Sequence, residues 1–133
     1  MTAPTPIPDQ IATVLRNKKL TQDFWIQVLN GANYDLIDTT LAPTYTYNGH
    51  PSKASGTKIW LQGLHAMAPD LYFRIESLSG ANDTVIIRWT LTATVTGKFG
   101  MLTGENVLVW NADGQCVSNW QSMGTPAYVH EIS

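Results

Sequence analysis

The sequence predicts an α+β fold. About three N-terminal helices pack against a strongly curved antiparallel or mixed β-sheet, and together they form a cone-shaped barrel with an internal cavity. Three observations carry this prediction. Apolar residues in the first third of the chain recur at helical spacing. From Leu71 onward, strand patterns follow one another with turn residues between them. Within Thr84–Val95 the odd positions (Val85, Ile87, Trp89, Leu91, Ala93, Val95) are apolar and the even ones mostly polar. That period of two describes an antiparallel strand between two unlike environments. Helices segregated from a meander of strands give the α+β class.

The elements follow in order. Ile11, Val14 and Leu15, then Leu20, Phe24, Val28 and Leu29, keep helical spacing. Asp9 and Thr21 both qualify as N-caps, so one long helix or two would fit. Gly31 is a natural stop. A short helix over residues 34–41 uses Leu36, Ile37 and Leu41, and Pro43 ends it. Thr44-Tyr45-Thr46-Tyr47-Asn48 alternates β-branched and aromatic residues, which is strand chemistry. Gly49-His50-Pro51-Ser52 reads as a turn. A third helix spans 57–68, with Ile59, Trp60, Leu64 and Met67 as its apolar stripe and Pro69-Asp70 closing it. Strands are expected over 71–78, 84–95, 105–110 and from the Asn111-Ala112-Asp113-Gly114 hairpin to about Met123. Thr96-Gly97-Lys98-Phe99-Gly100 reads as the start of a loop, and residues 124–133 as an irregular tail.

Bulk properties narrow the function. A chain of 133 residues is most simply one domain, with an arm over 1–8 that holds three prolines. The net charge is −2, and the only basic cluster is Arg16-Asn17-Lys18-Lys19, a solvated helix face. Nucleic-acid binding needs a far stronger positive footprint. No apolar run approaches the ~18 residues that span a bilayer, and residues 1–8 lack the features of a signal peptide. Cys116 is the single cysteine, so no internal disulfide forms, which fits a reducing, cytoplasmic setting. His50, His65 and His130 lack metal-ligand spacing with a carboxylate, and no phosphate or dinucleotide loop is present. No cofactor and no metal are expected.

Several segments resemble one family in order and spacing. They are Asn48-Gly49-His50-Pro51 with Gly56, Ala66-Met67-Ala68-Pro69-Asp70-Leu71, Val85-Ile86-Ile87-Arg88-Trp89-Thr90, Thr92-Ala93-Thr94-Val95-Thr96-Gly97, Leu102-Thr103-Gly104, and Asp113-Gly114 with Trp120. From about Phe24 to Gln121 the chain resembles the SnoaL-like polyketide cyclases, a branch of the nuclear-transport-factor-2-like cone fold. The resemblance implies a small cofactor-independent enzyme of secondary metabolism. It would isomerise or cyclise an apolar polyketide- or terpenoid-like substrate by acid-base chemistry. Because the fold hosts many reactions, the resemblance speaks for fold more than for chemistry. Three positions that are often ionisable in relatives are Val95, Val107 and Gln121 here. Gln121 follows Trp120 where the family places its acid, and an amide takes no proton at neutral pH.

Strand parity then supplies the candidates. The apolar face of 84–95 is taken as the cavity wall, with Glu105, Val107 and Val109 sharing one face on the same concave side. Asn119 and Gln121 share a face in the last strand. The catalytic candidates are Gln121, Glu105 and Tyr47. Glu105 is the one carboxylate expected near the cavity, where an apolar surround would tune it, although a solvated strand end fits it as well. The substrate-binding candidates are Asn119, Asn48, Trp25, Trp60, Trp89 and Val107. Trp110 and Trp120 fall on the other parity, with Trp110 a candidate for a dimer face. A wall of indoles suits a flat apolar or aromatic small molecule as the partner. Relatives often pair as homodimers through the sheet, which implies a dimer through the threonine-rich face. The alternative to an enzyme is a non-catalytic binding module or a dimeric interaction module of the same fold.

Overall fold

The computed structural model describes residues 7–128. Of the expected arm over 1–8, residues 1–6 lie outside the described residues, as do 129–133 with His130, while Ile7 and Pro8 belong to the first helix. Helix α1 (Ile7–Asp23) runs without a break into a π-helical segment (Phe24–Asn30), so the first helix is one continuous element. Thr21 is not a cap. It is buried mid-helix, where its hydroxyl donates to Asn17 O and accepts the Trp110 indole N–H. The buried face of α1 is therefore partly polar. Ile11 and Leu15, expected to face inward, are exposed, and Asn17 and Thr21 take the inward positions. Arg16 donates to Ala112 O and Asn111 O, tying the helix to a distant hairpin.

Gly31 does end the π-helical segment, but not through a positive φ. A Cβ there would sit 2.6 Å from Gln27 O, while Ala32 takes the left-handed conformation at φ 56°. Asn30 then clasps strand backbone, accepting from Phe73 N and donating to Phe73 O. Helix α2 (Asp35–Thr40) buries Ile37, and Asp38 on its outer side pairs with Lys58.

Strand β1 (Leu41–Tyr47) begins earlier than expected and includes Pro43. The turn falls at Asn48-Gly49, both at positive φ, and His50–Pro51 forms a two-residue strand, β2. Helix α3 (Ala54–Met67) turns Leu61, Leu64 and the following Ala68 inward. Ile59 and Met67, expected in its stripe, are exposed. The inner face is thus rotated from the predicted one.

The remaining strands are β3 (Tyr72–Ala81), β4 (Thr84–Val95), β5 (Lys98–Trp110), β6 (Cys116–Met123) and β7 (Ala127–Tyr128). The sheet order is β2-β1-β6-β5-β4-β3, with β1 and β6 parallel and the other neighbours antiparallel. Short β7 pairs with β5 beyond the end of β6, so the tail is not wholly irregular. The sheet is curved and stays open. Its concave face packs on the helices, and the core joins Trp25, Val28, Ile37, Leu61, Ile87, Trp89 and Trp110.

One turn decides which residues face the cavity. Thr96 and Gly97 both take positive φ, the geometry of a two-residue hairpin, so β5 starts at Lys98 with no loop. This sets Ile87 opposite Asn106, Trp89 opposite Gly104 and Leu91 opposite Leu102. Glu105, Val107 and Val109 pair with Arg88, Ile86 and Thr84 on the convex face. The expected register is off by one residue, which exchanges the two faces of the strand.

Candidate functional site

A cavity of about 550 Å³ lies between the concave sheet, the π-helical segment and α3. Its walls are mostly apolar. Phe24, Trp25 and Leu29 come from the π-helical segment, Trp60, Leu61 and Leu64 from α3, and Phe73, Trp89, Leu91 and Leu102 from the sheet. The wider helical repeat brings Phe24, Trp25, Val28 and Leu29 to one buried side, and such segments occur often at functional sites. Trp25 and Trp89 are fully enclosed, whereas Trp60 is 57% exposed at the rim. Phe73 meets Trp89 edge to face with ring centroids 5.1 Å apart. The three expected indoles therefore do line one cavity. The volume suits a small, flat, apolar ligand.

One wall is polar. The Trp89 indole Nε1–H donates to Asn106 Oδ1 at 2.7 Å. Asn106 Nδ2 donates to Asn119 Oδ1 at 2.8 Å and to Gln121 Oε1 at 3.4 Å. Tyr47 Oη–H donates to Gln121 Oε1 at 2.7 Å, and Asn119 Nδ2 donates to Tyr45 Oη at 3.2 Å. Tyr45, Tyr47, Asn106, Asn119 and Gln121 all line the cavity. Their β1, β5 and β6 backbones are adjacent, and the pairings Tyr47↔Asn119 and Asn106↔Gln121 bring the side chains together.

Among the described residues, the lining contains no carboxylate, imidazole or amine. Its only titratable groups are the two phenols, and burial pushes both upward, Tyr45 strongly and against the partial relief of the Asn119 hydrogen bond. At neutral pH both therefore stay protonated and act as donors. The polar wall is neutral, and the Asn106 carbonyl and both of its amide hydrogens are engaged within it. A neutral wall of this kind can polarise a carbonyl or hold a developing oxyanion. It offers no group that accepts a proton near neutral pH.

The candidates sort accordingly. Tyr47, Asn119 and Gln121 meet as expected, and Trp25, Trp60 and Trp89 share their cavity. Glu105 does not join them. It faces outward on the convex side, with its carboxylate 2.8 Å from the Arg88 guanidinium. Val107 lies on the same outer face, between Ile86 and Trp120. Asn48 supports the site without lining it, since its Oδ1 accepts from Gln121 N and its left-handed φ makes the β1–β2 turn. Trp110 is 2% exposed, so it lies in the core and is no part of a dimer face. Asn106 is the residue that sequence reasoning missed. Reading Thr96-Gly97 as a two-residue turn would have found it, because that register puts Asn106 opposite Ile87.

Outside the cavity, His65 has both ring nitrogens engaged. Nε2–H donates to Leu29 O at 2.7 Å, which leaves Nδ1 to accept from Tyr34 Oη–H at 2.5 Å. It closes a free carbonyl of the π-helical segment. Among the described residues, no three of His, Cys, Asp and Glu are grouped to hold a metal ion. Nor is any helix among them long and apolar enough to cross a membrane.

Burial also raises the Cys116 thiol, from 9.0 to about 12. Groups whose folded pKa is raised keep their proton longer in the folded chain than in the unfolded one. Their stabilisation is complete below pH 9.0 and drains away as pH rises toward about 12. Thermal stability should therefore fall steadily over that alkaline window, and more gently in Cys116→Ala. Equal slopes for the two proteins would contradict the assignment.

The comparisons with known proteins agree with this architecture. The family model of the SnoaL-like polyketide cyclases matches residues 19–123. A SnoaL-like polyketide cyclase from Agrobacterium tumefaciens superposes with TM-score 0.74 at 18% identity, covering 82% of this chain and 91% of that one. A candidate polyketide cyclase from Acidithiobacillus ferrooxidans gives TM-score 0.71 at 26% identity, over 81% and 87% of the two chains. TsrD from Streptomyces laurentii gives 0.72 at 15% identity, over 82% and 88%. No curated protein matches the chain.

Proposed function

The chain belongs to the SnoaL-like polyketide cyclase family, and from that premise we propose that it is a small enzyme of cyclase or isomerase type. It takes an apolar, carbonyl-bearing, polyketide-like molecule into the cavity and needs no cofactor. The observation that carries this reading is the single polar wall inside an aromatic cavity. Gln121 and Tyr45 stand ready to donate there, with Tyr47 and Asn119 holding them.

The chemistry follows from what the wall lacks. With no proton acceptor in the lining, the site acts on the electrophile. Donors pull charge onto a substrate carbonyl oxygen, and the cavity folds the chain so that an enol carbon of the same molecule lies against that carbonyl carbon. The new carbon–carbon bond forms as the carbonyl π bond breaks. The oxygen takes the charge, held by the donors, and then a proton from water. The enol hydroxyl returns its proton to water, so the product is an isomer of the substrate. Incubation with linear aryl poly-β-ketones should give a product of unchanged mass and altered retention in liquid chromatography with mass detection.

The absence of a proton-accepting group also favours a second reading, a binding module that holds such a molecule without converting it. Saturable tryptophan quenching with no product would select that reading. We further propose that the convex face pairs two copies of the chain. On that face Ile86, Val107 and Trp120 form one apolar row across three strands, and Trp120 is 54% exposed. A monomeric mass by light scattering at micromolar concentration would remove that part.

A further inference from the structure

We infer that Trp89 and Asn106 fix the direction of the polar wall, so that the cavity selects an oxyanion or carbonyl oxygen, the enolate and phenolate class, over a ligand group that only donates. The inference rests on the proposed role of the wall and specifies it further.

An amide side chain can be turned end for end, so a row of amides has no direction of its own. Trp89 supplies one. Its indole N–H can only donate, is buried, and lies 2.7 Å from Asn106 Oδ1. The Asn106 carbonyl must therefore face Trp89, which turns its amide hydrogens toward Asn119 and Gln121. Both hydrogens are used there, at 2.8 and 3.4 Å. The oxygens of Asn119 and Gln121 must then face Asn106. Gln121 Oε1 takes a second bond from Tyr47. Asn119 Nδ2 turns to Tyr45 Oη, and the Tyr45 proton points elsewhere.

Two donors remain: the Gln121 Nε2 amide and the Tyr45 hydroxyl. Neither has an acceptor among the described residues, and both residues line the cavity. Trp89 and Asn106 are thus positioning residues. They act through Gln121 and Tyr45, and the amide oxygens of Asn106, Asn119 and Gln121 are each already engaged by a donor of the wall. A glutamate in place of Gln121 would present an acceptor at the same point. The chain has exchanged an acid-base site for an oxyanion-binding one.

A nitronaphthol tests this, because its ionised and neutral forms absorb at different wavelengths. Nitronaphthalene, which lacks the hydroxyl, serves as the control for the cavity itself. Wild-type protein should bind the ionised form about tenfold or more tightly than the neutral one, seen as a fall of about one unit in the apparent pKa of the bound dye. Trp89→Phe removes the directing donor without adding charge, so most of that preference should vanish while nitronaphthalene still binds. Asn106→Asp, which can only accept, should reverse the preference. A residue with only a scaffold role would weaken all ligands alike. Nitronaphthalene binding with no preference for the ionised dye overturns the polarity but leaves the cavity reading standing. Failure of both dyes to bind wild-type protein overturns both. A preference that survives intact in Trp89→Phe overturns the assignment to Trp89.

Discussion

Gln121→Ala should lower kcat/KM by at least about tenfold, with most of the loss in kcat. Removing one donor from a developing oxyanion typically costs about 100-fold or more. The half-buried position of Gln121 argues for the lower part of that range. The variant also leaves the Tyr47 hydroxyl without its acceptor at 2.7 Å, so part of the loss will come from a disordered wall. Gln121→Glu separates the two effects. It keeps the shape and still accepts from Tyr47 and Asn106, but it no longer donates. Its turnover should fall about as far as that of the alanine variant, since transition-state donation is what both lack. Undiminished turnover in Gln121→Glu would assign proton transfer, not polarisation, to this position. Glu105→Ala in the same assay should match wild type, because that carboxylate lies on the convex face beside Arg88.

Gly104→Ala should be the most damaging of the conservative substitutions. A Cβ at this position would sit 2.2 Å from Trp89 Cζ2 and 2.4 Å from Cη2. The indole lies flat across the glycine of the opposite strand, and it cannot retreat freely. It meets Phe73 edge to face, and its N–H is held by Asn106. Overpacking of a core usually costs about 1–3 kcal/mol. Here the displaced indole also leaves a buried donor and the Asn106 carbonyl unpaired, which adds about 1–3 kcal/mol. A loss of about 2–6 kcal/mol in urea unfolding is expected from these two contributions, together with a smaller cavity. A stability within about 1 kcal/mol of wild type would mean that Trp89 is free to move, since ordinary surface substitutions stay within roughly half that. The direction of the polar wall, which depends on Trp89, would then lose its anchor.

The fold was legible because its strongest signals are local. The alternation of 84–95 marked β4 to the residue, and Asp113-Gly114 marked the last hairpin, where Gly114 sits at φ 78°. The tyrosine pair, Asn119 and Gln121 were likewise readable, since one strand parity governs each pair. What failed was register. Thr96-Gly97 carries a weaker turn signal than Asn-Gly, and taking it as a loop moved β5 by one residue. That single step placed Glu105 and Val107 inside and hid Asn106. The helices failed differently. Helical spacing located α1 and α3, but it could not say that Asn17 and Thr21 would face inward, with Thr21 accepting from the Trp110 indole of β5. Polar contacts between distant segments leave no periodic trace. Trp110 follows from the same register error, since it shares the inner face of β5 with Asn106 and Leu108.

The cavity lining holds two phenols and three amides and, among the described residues, no carboxylate, imidazole or amine, while Val107 lies on the convex face. The amide oxygens are each engaged by a neighbour, which orients the buried network in one direction.

On the proposed reading, this wall donates to a carbonyl oxygen of its ligand. The infrared stretching band of a bicyclic aromatic ketone, isotopically labelled at its carbonyl carbon and bound in the cavity, tests it most directly. The band should lie below its position in water for wild-type protein and move up in Gln121→Ala. A bound carbonyl that absorbs where it does in a hydrocarbon solvent would contradict the account.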